Sequence, residues 1–432
     1  GDGGGVPAGP RRTTPHGFGS VRLLIADPTG FDGGVGTLTL SLANELAELG
    51  HEPILASPSR DRANAYSVLE ERVQWKAWPP QGASERRALG RARLRAQRAG
   101  QILRARRFLR WMDREETSRH NEWLSRFGEE LRVDACLFPC VLGWDPGGLN
   151  LPMSCVMHDL NWNLYPENFP NCPASEMNRL TERWLRAAKH VFCVSNFATQ
   201  ELAVRFPRFD GKLITVPNGF NSDLPSRSAP DGGLPRSLGG KRFLLYPGWV
   251  GLHKGHSLLL GAFAEAAAAD QDLHLVLTGN GSDRIGRREL DDLPGVRALD
   301  GAWRALSDSV KRRIVRAGAV ESGTLAWLYR NCVATVLPSE YEGFGLPLLE
   351  ALAANSPVIV SDIGAFQEIA DRYDVRASLT WFRTGSPAEL AREILQAASE
   401  RREPAIPAGA LDSWTWASAA EAYVRALDPA GQ

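Results

Sequence analysis

The chain has 432 residues, more than one compact core usually supports, so about two domains are expected. Its 43% hydrophobic, 8% aromatic and 23% charged residues are typical of a globular protein and exclude collagen-like, coiled-coil and wholly disordered chains. Lys plus Arg equals Asp plus Glu, at 50 each, so the net charge does not favour a nucleic-acid binder. No apolar stretch is long enough to predict a membrane span.

The six cysteines form no Cys-x-x-Cys pair, and several lie in apolar runs, as Cys193 does. A free cysteine in such a run behaves as a small buried hydrophobe, so we expect reduced core thiols and a cytoplasmic protein. Residues 1–20 are rich in Gly, Pro and Arg and lack an apolar stretch. This composition predicts a disordered leader rather than a signal peptide.

Short apolar runs alternate with longer helical stretches, the pattern of a parallel sheet with crossover helices. Twelve strands are predicted, at 21–26, 53–57, 73–78, 135–138, 153–157, 190–194, 213–216, 242–246, 273–278, 313–316, 332–337 and 358–361. Residues 221–240 have the Pro, Gly and Ser content of an interdomain linker. We therefore predict an α/β protein with two doubly wound, Rossmann-like domains at 21–220 and 241–410, facing a cleft.

An arginine-rich segment precedes the fourth predicted strand. Ten arginines lie from Arg86 to Arg110, against one acid, Glu85. One interpretation is one or two solvated helices over the first domain, and the other is an electrostatic contact with an anionic membrane or a phosphorylated acceptor. Nucleic acid is not favoured, because the segment has no aromatic interleaving.

The strongest functional pattern is LPSEYEGFGLPLLE, residues 337–350. A predicted strand ends here in a loop with Gly343 and Gly345, and a helix follows whose first turn holds a proline. The N–H groups at such a helix start bind phosphate, and the two glycines allow close approach of the backbone to a ligand. Glu342 and Glu350 flank this turn, and carboxylates accept hydrogen bonds from vicinal hydroxyls. The pattern suits a ligand that combines an anion with a sugar.

The string EGFGLPLLEALA resembles the E-x7-E signature of retaining GT-B glycosyltransferases of the large family four, and the resemblance runs from about residue 21 to 426. It implies a GT-B fold and transfer of a sugar from a nucleotide-sugar with retention at the anomeric carbon, without a bound metal or other cofactor. It also implies that Glu350 binds the ribose hydroxyls and Glu342 the 3- or 4-hydroxyl of the donor sugar. The sugar and diphosphate would meet the backbone of three residues, Phe344, Gly345 and Leu346.

The segment LLYPGWVGLHKG, residues 244–255, also resembles the family. It follows a predicted strand and opens a helix, so Lys254 is placed to neutralise a diphosphate leaving group, and Gly248 to contact the donor. Many relatives carry an Arg just after this glycine, where this chain has Trp249. The segment is similar to a subset with a YP…HK pattern, many of whose members are mannosyltransferases of surface polysaccharides.

Other candidate site residues follow predicted strands. A histidine placed like His158 is more often a structural cap, but the family resemblance implies a catalytic place beside the donor sugar. Asp159 is expected either to orient His158 or to help cap the next turn. Gly33 and Gly34 precede a helix predicted at 38–49 and resemble the family's first glycine loop, for which a plain tight turn is the alternative. We expect Gly279, in a Gly-Asn-Gly string, to line the nucleotide site.

Four remaining segments are expected to contribute to the fold or to ligand position rather than to the reaction itself. Ser195, Asn196 and Phe197 are expected to cap a helix, and Asp270-Gln271-Asp272 is interpreted as a turn rather than a metal-binding DxD. By analogy with the family, the nucleotide base lies near residues 316–320. Trp414 and Trp416 open a last helix, and the resemblance implies that residues 411–432 cross back onto the first domain.

These patterns favour a retaining, metal-independent hexosyltransferase of polysaccharide biosynthesis, with GDP-mannose as the preferred donor and a glycan or lipid-linked acceptor. The expected location is cytoplasmic, with peripheral contact at the inner face of the membrane through Arg86–Arg110, and no nucleic-acid partner. Two alternatives stay open: a GT-B nucleotide-sugar epimerase or hydrolase, and a non-catalytic sugar-nucleotide-binding subunit.

Overall fold

The computed structural model describes residues 20–28, 33–58, 71–78, 103–141, 144–169, 172–220, 233–287, 294–400 and 404–427, without the side chains of 103–116 and 294. Apart from Ser20, the predicted leader lies outside these residues, as does most of the predicted linker. The arginine-rich segment is also outside them, except for the backbone from 103 onwards.

The first sheet has seven strands in the order β3-β2-β1-β4-β5-β6-β7, and every pairing with a defined register is parallel. The strands are β1 (Arg22–Ala26), β2 (Glu52–Ser57), β3 (Gln74–Ala77), β4 (Ala135–Phe138), β5 (Met153–Met157), β6 (Val191–Cys193) and β7 (Leu213–Thr215). All seven lie where apolar runs predict them. Strands such as β5 are buried along their whole length, as expected of a parallel sheet covered on both faces.

The second sheet has six strands in the order β10-β9-β8-β11-β12-β13, again parallel in every register. They are β8 (Arg242–Pro247), β9 (Leu273–Thr278), β10 (Ile314–Gly318), β11 (Ala334–Leu337), β12 (Val358–Ser361) and β13 (Leu379–Phe382). Strand β13 is absent from the sequence prediction. It forms the sheet edge, and Thr380 is exposed between apolar residues, which breaks the run that marks the other strands.

The described helices are α1 (Gly33–Glu48), α2 (Leu103–Glu130), α3 (Asn161–Leu164), α4 (Ala174–Ala187), α5 (Asn196–Arg205), α6 (Gly233–Leu238), α7 (His256–Ala269), α8 (Pro294–Ala298), α9 (Asp300–Ala305), α10 (Asp308–Lys311), α11 (Ser322–Asn331), α12 (Leu346–Ala353), α13 (Gly364–Arg372), α14 (Pro387–Ser399) and α15 (Trp416–Leu427). Helix α1 begins at Gly33, so the prediction of a helix starting at residue 38 is wrong. Gly33 and Gly34 form its first turn rather than a preceding loop. No described helix is long and apolar enough to cross a membrane.

Packing divides the chain into two compact units. The first unit holds the chain up to Met157, Leu180–Phe192 and the chain from Trp416, and within it α15 packs against α1. The second unit holds His158–Arg179 and Cys193–Thr415. In the second unit, α7 and α14 pack on each other and bury side chains such as Phe263 and Leu390 against the sheet.

The prediction of core thiols is confirmed. All six cysteines are free; five are buried and Cys172 is half-buried. Burial raises the pKa of Cys193 to about 11, partly offset by a hydrogen bond from Thr199. Burial likewise raises the pKa of Cys136, so both thiols stay protonated and inert at neutral pH.

Candidate functional site in the second unit

A buried ion pair joins two of the predicted site residues. Lys254 closes the 3-10 turn Leu252–Lys254 just before α7, and its Nζ lies 2.7 Å from both carboxylate oxygens of Glu342. Each side chain is only 13% exposed. Ser339 adds a third hydrogen bond, from its Oγ to Oε1 of Glu342 at 2.8 Å. The pair therefore links the loop after β8 to the loop after β11.

Neighbouring charges control the protonation of Glu342. Burial by itself would raise the pKa of this carboxyl, but the positive charge of Lys254 and the hydrogen bonds from Lys254 and Ser339 lower it below its ordinary value. His253 acts in the same direction when its ring is protonated. Glu342 is thus an anion at neutral pH, and its charge is balanced by Lys254.

Glycine 343 packs the loop after β11 against the segment of His158. A Cβ atom at Gly343 would lie 1.9 Å from the carbonyl oxygen of His158 and 3.1 Å from Cβ of Asp159. Its own carbonyl accepts a hydrogen bond from Oγ of Ser195 at 2.6 Å. Contact within the protein therefore already requires glycine at position 343, independently of the close ligand approach that the sequence predicts.

The segment of His158 is held to the same loop by Tyr341. The Tyr341 hydroxyl accepts a hydrogen bond from the N–H of Leu160 at 3.0 Å and donates one to Oε2 of Glu201 at 2.5 Å. Burial raises the pKa of Asp159, although the N–H of Asn161 and the charges of His158 and Lys254 oppose the shift. The structure therefore brings His158, Asp159, Lys254 and Glu342 into one region of the second unit.

Helix α12 begins directly after Gly345, as the sequence predicts. Gly345 has φ +114°, a conformation that side chains rarely adopt, and its Cβ would lie 2.7 Å from the Phe366 ring. Gly345 supplies no side-chain cap, and no described side chain accepts from the N–H of Leu346, whereas Pro347 has no N–H and Leu348 donates to the Gly345 carbonyl at 3.0 Å. Such a helix start is suited to an anionic ligand.

Glu350 lies on α12 with its carboxyl group buried. The residue is 5% exposed, and Oε2 accepts a hydrogen bond from the Tyr329 hydroxyl at 2.7 Å. Burial raises the pKa of Glu350 to about 7, even though the bond from Tyr329 lowers it. No described residue donates to Oε1, which leaves one carboxylate oxygen to accept a hydrogen bond from a ligand.

The loop after β8 is braced against the loop after β9. Gly248 donates to the Thr278 carbonyl at 3.1 Å, and Val250 donates to the Asn280 carbonyl at 2.9 Å. A Cβ at Gly279 would lie 2.4 Å from the Gly248 carbonyl oxygen, so the two predicted glycines are in contact. Trp249, which stands where many relatives have Arg, is 41% exposed.

Two segments that the sequence predicts to be structural, the helix cap at Ser195 and the turn at Asp270–Asp272, have those structures. Ser195 caps α5 by accepting from the N–H of Ala198, and Asp272 donates its N–H to Oδ1 of Asp270, as in a turn. Near the predicted base site, Arg316 bonds to the carbonyl of Ile285 and lies 4.9 Å from the Trp303 ring centroid. The Arg316 side chain is therefore already engaged.

The remaining predicted site residues, Gly33 and Gly34, belong to the first unit, where a Cβ atom at either would meet nothing within 4 Å. Sequence reasoning missed Ser339, Tyr329 and Asn168, since their contacts join segments far apart in the chain. Of these three residues, only Ser339 lies within the LPSEYEGFGLPLLE segment that the sequence already marks as functional. Among the residues that the structure describes, no group of three or more His, Cys, Asp or Glu is arranged to hold a metal ion.

Comparison with known proteins finds similarity to glycosyltransferases along both parts of the chain. Residues 32–224 match the model "Glycosyltransferase Family 4", and residues 235–408 match "Glycosyl transferases group 1". The chain is 29% identical over 185 residues to an uncharacterised glycosyltransferase of Methanocaldococcus jannaschii, covering 41% of this chain and 44% of that protein. It is 28% identical over 220 residues to the O-antigen chain mannosyltransferase B of Escherichia coli, covering 50% and 54%.

The chain thus spans about half the length of these two curated relatives. Among solved structures it resembles Anabaena Alr3699/HepE in complex with UDP-glucose, with a TM-score of 0.61 at 17% identity, over 94% of this chain and 95% of that one. The predicted fold class, with two Rossmann-like parallel-sheet domains, is confirmed. Two glycosyltransferase family models thus match successive parts of the chain, one at residues 32–224 and the other at residues 235–408.

Proposed function

We propose that the protein is a retaining hexosyltransferase that moves a sugar from a nucleoside-diphosphate sugar to a glycan or lipid-linked acceptor. One observation carries the proposal: a buried Lys254–Glu342 pair lies in the same unit as the uncapped start of α12, on which the buried acid Glu350 lies. A cation and a helix N-terminus suit a diphosphate, and the two acids suit hydroxyls. The family matches support the same conclusion.

In the proposed reaction, the bond between the anomeric carbon and the diphosphate oxygen breaks, and a bond from the acceptor oxygen to that carbon forms on the same face. The acceptor proton passes to an oxygen of the leaving diphosphate. Lys254 turns from Glu342 towards the diphosphate and stabilises its growing charge, together with the N–H groups at the start of α12. Glu342 is then free to accept a hydrogen bond from the donor sugar, and Glu350 from the ribose.

The mannosyltransferase relatives make GDP-mannose the first donor to test, and UDP-glucose is the matched alternative because a structural neighbour is described in complex with it. We further propose that no metal is needed, that His158 contacts the donor sugar, and that Gly248, Gly279 and the backbone of Phe344 line the donor site. Gly33 and Gly34 are assigned to the family's first glycine segment. We also propose that the enzyme acts in polysaccharide biosynthesis in the cytoplasm, with Arg86–Arg110 in peripheral contact with the inner face of the membrane.

The test is release of nucleoside diphosphate from each donor, in EDTA, with and without a glycan acceptor. Release that requires acceptor, with the α-linked configuration of the donor kept in the NMR spectrum of the product, supports retaining transfer. Acceptor-independent release would indicate the hydrolase or epimerase alternative. Binding without any release would indicate a non-catalytic subunit.

Two variants connect that activity to the site. We expect Lys254→Met to lower turnover by about 10²- to 10³-fold, because it removes a charge that stabilises the leaving group. The matched control is Lys241→Met, because Lys241 is exposed next to β8. Equal turnover of the two variants would contradict the assignment of Lys254.

A further inference from the structure

Asn168 has a fixed orientation in the second unit. It closes the 3-10 turn Pro166–Asn168, and its Oδ1 accepts a hydrogen bond from the backbone N–H of Leu252 at 3.1 Å. An N–H group can only donate, so the amide oxygen must face Leu252. The amide nitrogen Nδ2 consequently faces Nδ1 of His253, at 3.1 Å.

This contact determines which nitrogen of His253 carries the proton. The Nδ2 group of Asn168 is a donor, so Nδ1 of His253 has to accept, and the proton of the neutral ring lies on Nε2. Burial is the main cause that lowers the pKa of His253 to about 4; Lys254 lowers it as well, and Glu342 opposes the shift. His253 is therefore neutral at pH 7 and has a single N–H, at Nε2.

That N–H has no acceptor among the described residues. His253 is only 3% exposed and is surrounded by aromatic rings, with centroids 5.7 Å away for Tyr165, 5.3 Å for Trp249 and 6.5 Å for Tyr341. Nε2 of His253 is not among the fully enclosed, unpaired nitrogens of the described residues, as both nitrogens of His256 are, so an acceptor from outside the protein can reach it. His253 interacts electrostatically with both Lys254 and Glu342, so its ring lies near the ion pair, and a ligand oxygen that binds there comes within reach of this N–H.

We propose that His253 is a further donor-binding residue, whose Nε2–H donates a hydrogen bond to an oxygen of the bound nucleotide-sugar, and that Asn168 is its positioning residue. The inference rests on the proposed function. A neutral donor beside Lys254 adds a directional contact without adding a second positive charge near the buried pair. The accepting oxygen belongs to the diphosphate or to a sugar hydroxyl.

Two substitutions of His253 distinguish its two nitrogens. Glutamine places an amide nitrogen near the position of Nε2, whereas asparagine reaches only the position of Nδ1, and both remove the same ring. We expect His253→Asn to bind GDP-mannose or UDP-glucose, whichever the wild type binds, roughly three- to tenfold more weakly than His253→Gln, measured calorimetrically. The same difference with GDP or UDP alone assigns the contact to the diphosphate; a difference only with the sugar nucleotide assigns it to a hydroxyl.

The positioning role of Asn168 is tested with Asn168→Asp. The carboxylate still accepts from Leu252 but can no longer donate to His253, so it moves the ring proton to Nδ1. In the ¹⁵N NMR spectrum of the imidazole groups, we expect the Nε2–H form of His253 in the wild type and its loss in this variant, with a similar loss of affinity.

Three results would overturn the inference. A wild-type His253 with its proton on Nδ1 contradicts the fixed orientation. Equal affinities of His253→Asn and His253→Gln, beside normal wild-type binding, overturn this inference alone. A wild-type protein that binds none of the four ligands overturns the proposed function and this inference together.

Discussion

Lys254 and Glu342 neutralise each other in the interior of the second unit. Both side chains are largely removed from water, so the desolvation of each charge is offset by the other and by Ser339. A diphosphate would compete with Glu342 for Lys254. The ion pair thus holds the cation in place before the donor binds, and it makes the two residues energetically dependent on each other.

This dependence gives a stability prediction. Lys254→Met leaves the buried carboxylate of Glu342 with Ser339 alone, so we expect the free energy of unfolding to fall by about 3 to 5 kcal/mol. Adding Glu342→Gln removes the uncompensated charge and should restore most of that loss. Urea denaturation of the two single variants and the double variant measures the coupling. If the two single effects simply add, the ion pair does not contribute as described.

Glu350 gives a prediction about pH. Its pKa of about 7 means that the carboxyl is mostly protonated at pH 6 in the free protein. Ribose hydroxyls would donate to the ionised form, so nucleotide binding should release a proton, and affinity should fall by up to about tenfold per pH unit below pH 7. Calorimetry in buffers of different ionisation enthalpy measures this proton release.

Glu350→Gln is the control, because the phosphates of the ligand also titrate near this pH. Glu350→Gln should keep the part of the proton release that comes from the phosphates and lose the part that comes from the carboxyl group. The folded state holds the proton of Glu350 up to about pH 7, whereas the unfolded chain releases it at about pH 4.5. The free energy of unfolding of the wild type should therefore fall as the pH rises from about 4.5 to 7. In Glu350→Gln this fall should be smaller. An unchanged proton release in Glu350→Gln would contradict the role given to this acid.

The loop between β11 and α12 packs closely against the segment of His158 because Gly343 has no side chain. We expect Gly343→Ala to lower both stability and donor affinity, because the new Cβ would collide with the carbonyl oxygen of His158. Gly261→Ala is the matched control: Gly261 is exposed within α7 and a Cβ there meets nothing within 4 Å. That change should stabilise the helix by about 1 kcal/mol. Thermal denaturation compares them, and a stabilising Gly343→Ala would contradict the close contact.

Most elements were predictable because their signals are local. Buried parallel strands such as β5 and β9 are short apolar runs, and the start of α12 is marked by Gly345 and a proline. Strand β13 was missed because its exposed Thr380 interrupts the apolar run at a sheet edge. The start of α1 was misplaced because glycines favour loops, whereas Gly33 lies in the helix.

The site was predictable only in part, because only some of its residues lie in a recognisable local string. Lys254, Glu342 and Glu350 lie in strings that resemble a known family. The partners that orient these side chains come from elsewhere in the chain, as Tyr329 does for Glu350 and Asn168 for His253. Such contacts depend on tertiary packing, which a single sequence does not display.

At the scale of the whole molecule, the six free cysteines predict insensitivity to redox conditions. We expect the melting temperature to be the same with and without dithiothreitol, since no disulfide constrains the unfolded chain. A thiol titration of the denatured, unreduced protein should find all six cysteines reactive. Fewer than six thiols, or a lower melting temperature in reductant, would contradict the structure.

The proposed function requires that the second unit binds a nucleoside-diphosphate sugar through Lys254, Glu342 and Glu350. The most direct measurement is the melting temperature in EDTA with GDP, GDP-mannose, UDP and UDP-glucose, for the wild type and Glu350→Gln. A ligand that binds the native state must raise the melting temperature. We predict a clear rise with one nucleotide and its sugar, reduced in the variant. No rise with any of the four ligands, or an equal rise in the variant, would contradict the proposed function.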